Sequence, residues 1–192
     1  MQRADHDLAF MLQYENIAWY EDGKVKILDR RIYPARIEFV TCGTHQEVAQ
    51  AITDMVTQSA GPYTAVPMGM ALAAHECRGR TAAEQMEYLR KAAHTISHAR
   101  PTTVKRMALL CDLCLAEAER ALAAGEDTAQ AIVNKTVELN NTRYERVAKI
   151  GKYLVDLFPE NGTVMTHCFA ETIVGMMLRE CSERGKHIRL FC

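Results

Sequence analysis

Thr163-Val164-Met165-Thr166-His167-Cys168-Phe169-Ala170-Glu171 is the stretch on which the fold turns. Thr163 to Thr166 reads as a short apolar strand, preceded by the turn residues Asn161-Gly162. Ala170 to Arg184 reads as an amphipathic helix with Ile173, Met177 and Cys181 on one side, and Gly185 caps it. His187 to Phe191 reads as another strand. Strand, helix and strand in that order make a β-α-β unit, the opening of a parallel sheet with a right-handed crossover. Two parallel strands and one helix cannot cover both sheet faces, and parallel sheets are normally covered on both sides. We therefore expect the natural polypeptide to continue past Cys192, the alternative being a partner, such as a second copy, over the open edge.

Upstream the pattern is helical behind a small leading sheet. Ile17-Ala18-Trp19-Tyr20 and Lys24-Val25-Lys26-Ile27-Leu28 flank Glu21-Asp22-Gly23, a hairpin turn signal, and Ile37-Glu38-Phe39-Val40 adds a strand. Thr44-His45-Gln46-Glu47 has capping-box form and opens the stripe Val48, Ile52, Met55. Pro62 to Glu76 is Ala- and Met-rich and reads as a buried helix, in which Pro67 predicts a kink or a late start. Thr81-Ala82-Ala83-Glu84 caps a helix with Met86, Leu89, Ala93 and Ile96 on one face. Pro101 suits the first turn of the next helix, whose stripe is Val104, Ala108, Cys111, Leu115, Ala118, Leu122, with Gly125 at its end. The longest helix, about Asp127 to Phe158, carries Val133, Val137, Asn140, Tyr144, Val147, Gly151, Leu154 and Phe158. Gly151 predicts close helix approach; Asn140 is a satisfied core amide or a site residue. The reading is mixed α/β: 1–158 a mainly helical domain with a small leading β-sheet, then 159–192 the first β-α-β of a Rossmann-like domain, incomplete as it stands.

The 192 residues balance 23 Lys+Arg against 24 Asp+Glu, and 48% are hydrophobic, enough for a packed core. A formal net charge of −1 argues against a nucleic-acid or anionic-membrane footprint. No apolar run approaches the ~18 residues of a membrane helix. The polar start Met1-Gln2-Arg3-Ala4-Asp5-His6-Asp7 has no signal core after it. The expected address is the cytoplasm, which suits seven cysteines set mostly in helical patterns as thiols.

Cys168 stands where a strand hands over to a helix, the place where open α/β sheets bind ligands. The partial positive charge of the helix start favours a thiolate there, making Cys168 an acid/base or nucleophile; otherwise it is a small residue in a tight turn. Of His167 and Cys168, strand alternation turns only one toward the crevice. Gln58-Ser59-Ala60-Gly61-Pro62-Tyr63 is a small-residue turn entering a helix, a geometry that offers N–H groups to phosphate. Arg100 also precedes a helix start, where a cation opposes the macrodipole, so it serves an anion or an ion pair. Cys111-Asp-Leu-Cys114 has CxxC spacing mid-helix and reads as core packing ahead of a metal site, and His94 and His98 share one exposed face without the Glu of a zinc-protease motif.

Ile37-Glu38-Phe39-Val40, Ser59-Ala60-Gly61, Ala99-Arg100-Pro101-Thr102-Thr103-Val104, Val164-Met165-Thr166-His167-Cys168 with Ala170, and Gly185-Lys186-His187-Ile188, in this order, resemble one superfamily. It contains the methylthioribose-1-phosphate isomerases, the ribose-1,5-bisphosphate isomerases and the alpha, beta and delta regulatory subunits of translation initiation factor 2B. The resemblance covers roughly Ile17 to Cys192 and implies a helical domain with a small sheet followed by a Rossmann-like domain. For the isomerases it implies conversion of an aldose 1-phosphate to the ketose. Cys168 and an aspartate later in the chain would shuttle protons, and Arg100 with the loop Ser59, Ala60, Gly61 would hold phosphate. It further implies a phosphorylated sugar or nucleotide metabolite as ligand, a homodimer, and neither cofactor nor metal. The chain departs from the pattern in two places. The loop that usually begins arginine-glycine-alanine reads Gln58-Ser59-Ala60-Gly61, without the arginine. Phe169 stands for an asparagine and Glu171 for a glycine, and a carboxylate there opposes an anionic substrate. The partner aspartate is expected beyond Cys192. A sugar-phosphate isomerase, a non-catalytic regulatory or metabolite-binding subunit of the factor 2B type, and a structural interaction module all remain open.

Overall fold

The computed structural model describes residues 3–192, and the chain falls into two compact units. The first is Tyr14–Glu138; the second joins the residues up to Gln13 to Leu139–Cys192.

The first unit opens with one helical turn, α1 (Tyr14–Ile17), and the antiparallel strands β1 (Ala18–Glu21), β2 (Lys24–Leu28) and β3 (Phe39–Cys42), in spatial order β1-β2-β3. Asp22 and Gly23 both take positive φ, 48° and 74°, as a two-residue hairpin turn of the favoured type demands. The third strand lies two residues later than Ile37–Val40. The buried face of β2 decides this: Val25 pairs with Cys42 and Ile27 with Val40, while Ile37 stays 58% exposed.

Helix α2 (His45–Thr53) is capped by Thr44, whose side chain accepts from the Glu47 amide. Val48 and Ile52 are buried, but Met55 is not part of the stripe, because the helix ends at Thr53 and Met55 has φ 60°. Helix α3 (Pro62–Glu76) is buried on nearly every side, as befits a central helix, and it starts ahead of Pro67 rather than at it. Helix α4 (Ala82–Ser97) has the complete capping box of Thr81 and Glu84 and buries Met86, Leu89, Ala93 and Ile96. A single 3-10 turn, Pro101–Thr103, leads into α5 (Val104–Ala124), which Gly125 ends in the left-handed region. Its buried face is Met107, Cys111, Cys114, Ala118 and Ala121, rotated from the expected stripe; Leu115 and Leu122 only flank it. Two neighbouring four-three stripes share Cys111 and Ala118, and the small Cys and Ala side chains let α5 lie close to α3 and α4.

Helix α6 (Thr128–Asp156) gives its first part to this unit and the rest to the second. In the second unit come β4 (Asn161–Met165), α7 (Glu171–Glu183) and β5 (His187–Phe191), with β4 and β5 parallel from Asn161↔His187 to Met165↔Phe191. This is the strand-helix-strand unit expected from the sequence. Its core is Val155, Val174, Met177 and Cys181, flanked by Leu154, Phe158, Ile188 and Leu190. A Cβ at Gly151 would lie 3.3 Å from Met176 Cβ, so α6 and α7 approach closely there. Asn140 is buried, and buried Tyr144 donates its hydroxyl to Leu12 O at 2.7 Å. The sheet face away from α7 leaves Met165 78% and Phe191 49% exposed. Among the described residues, no helix is long and apolar enough to cross a membrane.

Candidate functional site

Two helix starts in the first unit frame a cavity of about 280 Å³, lined by Ser59, Pro62, Tyr63, Arg100, Thr102, Thr103, Lys105, Arg106 and Met107. Pro62 and Tyr63 open α3, and Lys105 and Arg106 lie in the first turn of α5. Ser59 holds the left-handed region, φ 52°, a strained setting for a residue with a Cβ. Gly61 is required two positions on, because a Cβ there would fall 2.0 Å from buried Thr57 Oγ1. The turn is closed by Gly61 N donating to Gln58 O at 2.8 Å. Among the described residues, the amides of Ser59 and Ala60 make no hydrogen bond, and Ser59 lines the cavity.

Arg100 has extended backbone, and its carbonyl accepts from Thr103 N at 3.1 Å. Its half-buried side chain forms no ion pair among the described residues, nor do those of Lys105 and Arg106. Arg106 lies over the Tyr63 ring, Cζ 5.1 Å from its centre. No carboxylate lines the cavity. Of the residues singled out from the sequence, Ser59 and Arg100 thus meet at one cavity. Ala60 and Gly61 shape the turn but do not line it, and Lys105 and Arg106 were missed. Their signal was legible: two adjacent cations in a helix first turn without an acid.

Cys168 belongs to the second unit. It is exposed, just past the carboxyl end of β4, and its carbonyl accepts from Ala170 N at 2.8 Å, closing the turn into α7. His167 is exposed as well, so the sheet alternation expected to hide one of the pair does not extend past Thr166. Glu171 is turned inward, 5% exposed, beside Thr172, which accepts from Arg143 Nη1 at 3.5 Å. The carboxylate at this position is therefore not displayed toward an anionic substrate. A depression of this unit, about 860 Å³ and lined by Gly162, Thr163, Lys186, His187 and Arg189 among others, is at the amino ends of the strands, away from Cys168.

Cys42, Cys77, Cys111, Cys114 and Cys181 are buried, and Cys192 is exposed. Cys111 and Cys114 lie in the core of the first unit; burial pushes Cys111 up to about 12 and raises Cys114 further. His94 and His98 stack on the surface with ring centroids 4.0 Å apart. Glu76 accepts from His45 N at 2.9 Å, His45 Nδ1 at 2.5 Å and Tyr88 Oη at 3.1 Å, a half-buried knot joining α2, α3 and α4. Burial raises the Glu76 carboxyl, but the His45 and Tyr88 hydrogen bonds outweigh it and hold it below the usual carboxylate range.

The sequence profile of the Initiation factor 2 subunit family matches residues 61–192. A protein of Archaeoglobus fulgidus described as a putative methylthioribose-1-phosphate isomerase is 28% identical over 186 residues, covering 90% of this chain and 52% of that protein. The methylthioribose-1-phosphate isomerase of Thermotoga maritima is 27% identical over 188 residues, covering 94% and 53%. The chain thus spans about half the length of these relatives. Among solved structures, the delta subunit of translation initiation factor eIF-2B from A. fulgidus superposes with a TM-score of 0.69 at 24% identity, over 91% of this chain and 53% of that one. The 5-methylthioribose 1-phosphate isomerase of Pyrococcus horikoshii does so with a TM-score of 0.66 at 23% identity, over 91% and 51%. At these identities the superpositions show a shared fold.

Proposed function

This chain belongs to the Initiation factor 2 subunit family, and from that premise we propose that it takes part in aldose–ketose isomerisation of a phosphorylated sugar, of the methylthioribose-1-phosphate or ribose-1,5-bisphosphate type. The observation that carries the reading is the meeting of Arg100 and Ser59 at a cavity without a carboxylate. Arg100 and the Ser59-Ala60-Gly61 turn hold the phosphate, and Cys168 moves a proton. In the reaction the C1–O4 bond opens with a proton to O4, the C2–H bond breaks, a C–H bond forms at C1, and the C2 hydroxyl loses its proton as the ketone forms. No electrons leave the substrate, so the chemistry asks only for placed acid and base groups and a fixed phosphate. The relatives named as isomerases support this reading.

The remaining expectations belong to the same proposal: a domain boundary at 158/159, a Rossmann-like character for 159–192, a homodimer and a cytoplasmic address. A second reading, a non-catalytic metabolite-binding or regulatory subunit, is favoured by one observation, Gln58 where the isomerases are expected to carry an arginine. The two separate on incubation with methylthioribose 1-phosphate and with ribose 1,5-bisphosphate, followed by carbon NMR. The isomerase reading expects ketose, and a Cys168→Ala rate lower by about a hundredfold or more, the usual weight of general acid–base catalysis. Saturable binding without ketose supports the regulatory reading, and Cys168→Ala turning over at the parental rate removes Cys168 from the chemistry.

A further inference from the structure

We propose that Lys105 and Arg106 are anion-binding residues that, with Arg100 and the amide of Ser59, grip the phosphoryl group of a phosphate monoester and supply the charge of the loop arginine that Gln58 replaces. The inference deepens the phosphate site of the proposed function and rests on that reading for the identity of the ligand.

Charge is the first support. Arg100, Lys105 and Arg106 converge on about 280 Å³, no acid lines the space, and none of the three is ion-paired among the described residues. Three like charges around one small space repel unless an anion sits among them.

Helix polarity is the second. Lys105 and Arg106 occupy the first turn of α5, a 21-residue helix with no acid in that turn, and the start of 15-residue α3, likewise without an acid, borders the same cavity. Cations at a helix start oppose the field of the peptide dipoles, where carboxylates or bound anions are normally found. A sequence that breaks a local rule in this way, with no internal partner to offset it, marks a site for a ligand.

Geometry supplies the third. The left-handed Ser59 lines the same cavity with its amide unspent, a donor for one oxygen of a tetrahedral anion. Tyr63 holds the Arg106 guanidinium by its face, so less side-chain freedom is lost when the anion arrives. Two guanidiniums with paired N–H donors and one ammonium suit a dianionic phosphoryl group better than a single carboxylate.

The test uses the 192-residue chain and inorganic phosphate, titrated by calorimetry and phosphorus NMR. Wild-type protein is expected to bind phosphate saturably, with affinity falling as salt rises. Arg106→Ala is expected to weaken it about tenfold, the scale of one charged hydrogen bond. Lys105→Ala acts in the same direction by less, Arg106→Lys restores part of the loss, and Arg90→Ala, on exposed α4 surface, changes nothing. Circular dichroism and a thermal melt confirm that each variant is folded. No saturable phosphate binding by the wild type, or Arg106→Ala binding as tightly as the wild type, overturns the inference. Arg106-dependent phosphate binding in a protein that turns over no sugar phosphate leaves the inference standing and removes the isomerase. Turnover with a KM indifferent to Arg106 does the reverse.

Discussion

Replacing Glu76 by Gln tests how the first unit is held together at the end of α3 opposite the cavity. The Glu76 carboxylate is 14% exposed and receives three donors, the amide and ring of His45 and the hydroxyl of Tyr88. Hydrogen bonds to a charged carboxylate are worth ~1.5–3 kcal/mol each, and donors left poorly paired add to the loss. Gln keeps the size and one acceptor oxygen, so ~2–3 kcal/mol is expected near neutral pH. For a chain of this length that lowers Tm by ~5–10 °C. The sign with pH follows from the direction of the Glu76 shift. Its folded value lies below its unfolded value, so its stabilisation is present above the unfolded value and is lost as pH falls through the folded one. The wild type should therefore lose its advantage over Glu76→Gln on acidification, since protonation makes the two side chains alike. Urea unfolding followed by circular dichroism, at neutral pH and at about pH 3, reads both quantities. A cost under ~1 kcal/mol at neutral pH, or a difference that does not shrink in acid, would refute the reasoning.

Gly61→Ala forces a Cβ to within 2.0 Å of Thr57 Oγ1 and 3.0 Å of Gln58 O, and overpacking of this kind costs ~1–3 kcal/mol. Its melt should fall and its phosphate affinity with it, whereas an unchanged melt would mean that the turn is looser than described. Tyr144→Phe strips the Leu12 carbonyl of its 2.7 Å donor and should cost ~1–3 kcal/mol by urea unfolding; burial pushes that phenol up to about 12, so the cost stays flat across neutral pH. Timed iodoacetamide labelling read by mass spectrometry should modify the exposed thiols Cys168 and Cys192 roughly tenfold or more faster than buried Cys42, Cys77, Cys111, Cys114 and Cys181. Equal rates would place Cys168 out of solvent's reach.

The helical architecture was legible where side chains speak for themselves locally. The capping box at Thr81, the Asp22-Gly23 turn, the Gly125 stop and the close approach at Gly151 are local chemistry, and each appears where the residues put it. What the pattern left ambiguous was decided by packing. The α5 stripe could turn either way about Cys111 and Ala118, and only its contacts with α3 and α4 select Met107 and Cys114 for the interior. The third strand slid to Phe39–Cys42 because β2 dictates the register. At the cavity, Arg100 and Ser59 could be named singly, but convergence of residues so far apart in the chain is a tertiary fact. Lys105 and Arg106 were not singled out from the sequence. Glu171 could be identified from the sequence, but its inward orientation depends on how α7 packs within its unit.

The central claim of the proposed function is chemical: Cys168 exchanges a proton with the carbon skeleton of a sugar phosphate. Incubating the protein with methylthioribose 1-phosphate in deuterium oxide measures this directly, because a base that equilibrates with solvent leaves its isotope on the product. The account predicts ketose bearing deuterium at C1, with the signal lost in Cys168→Ala. Substrate recovered unchanged and undeuterated, from protein shown by calorimetry to have bound it, would contradict the account.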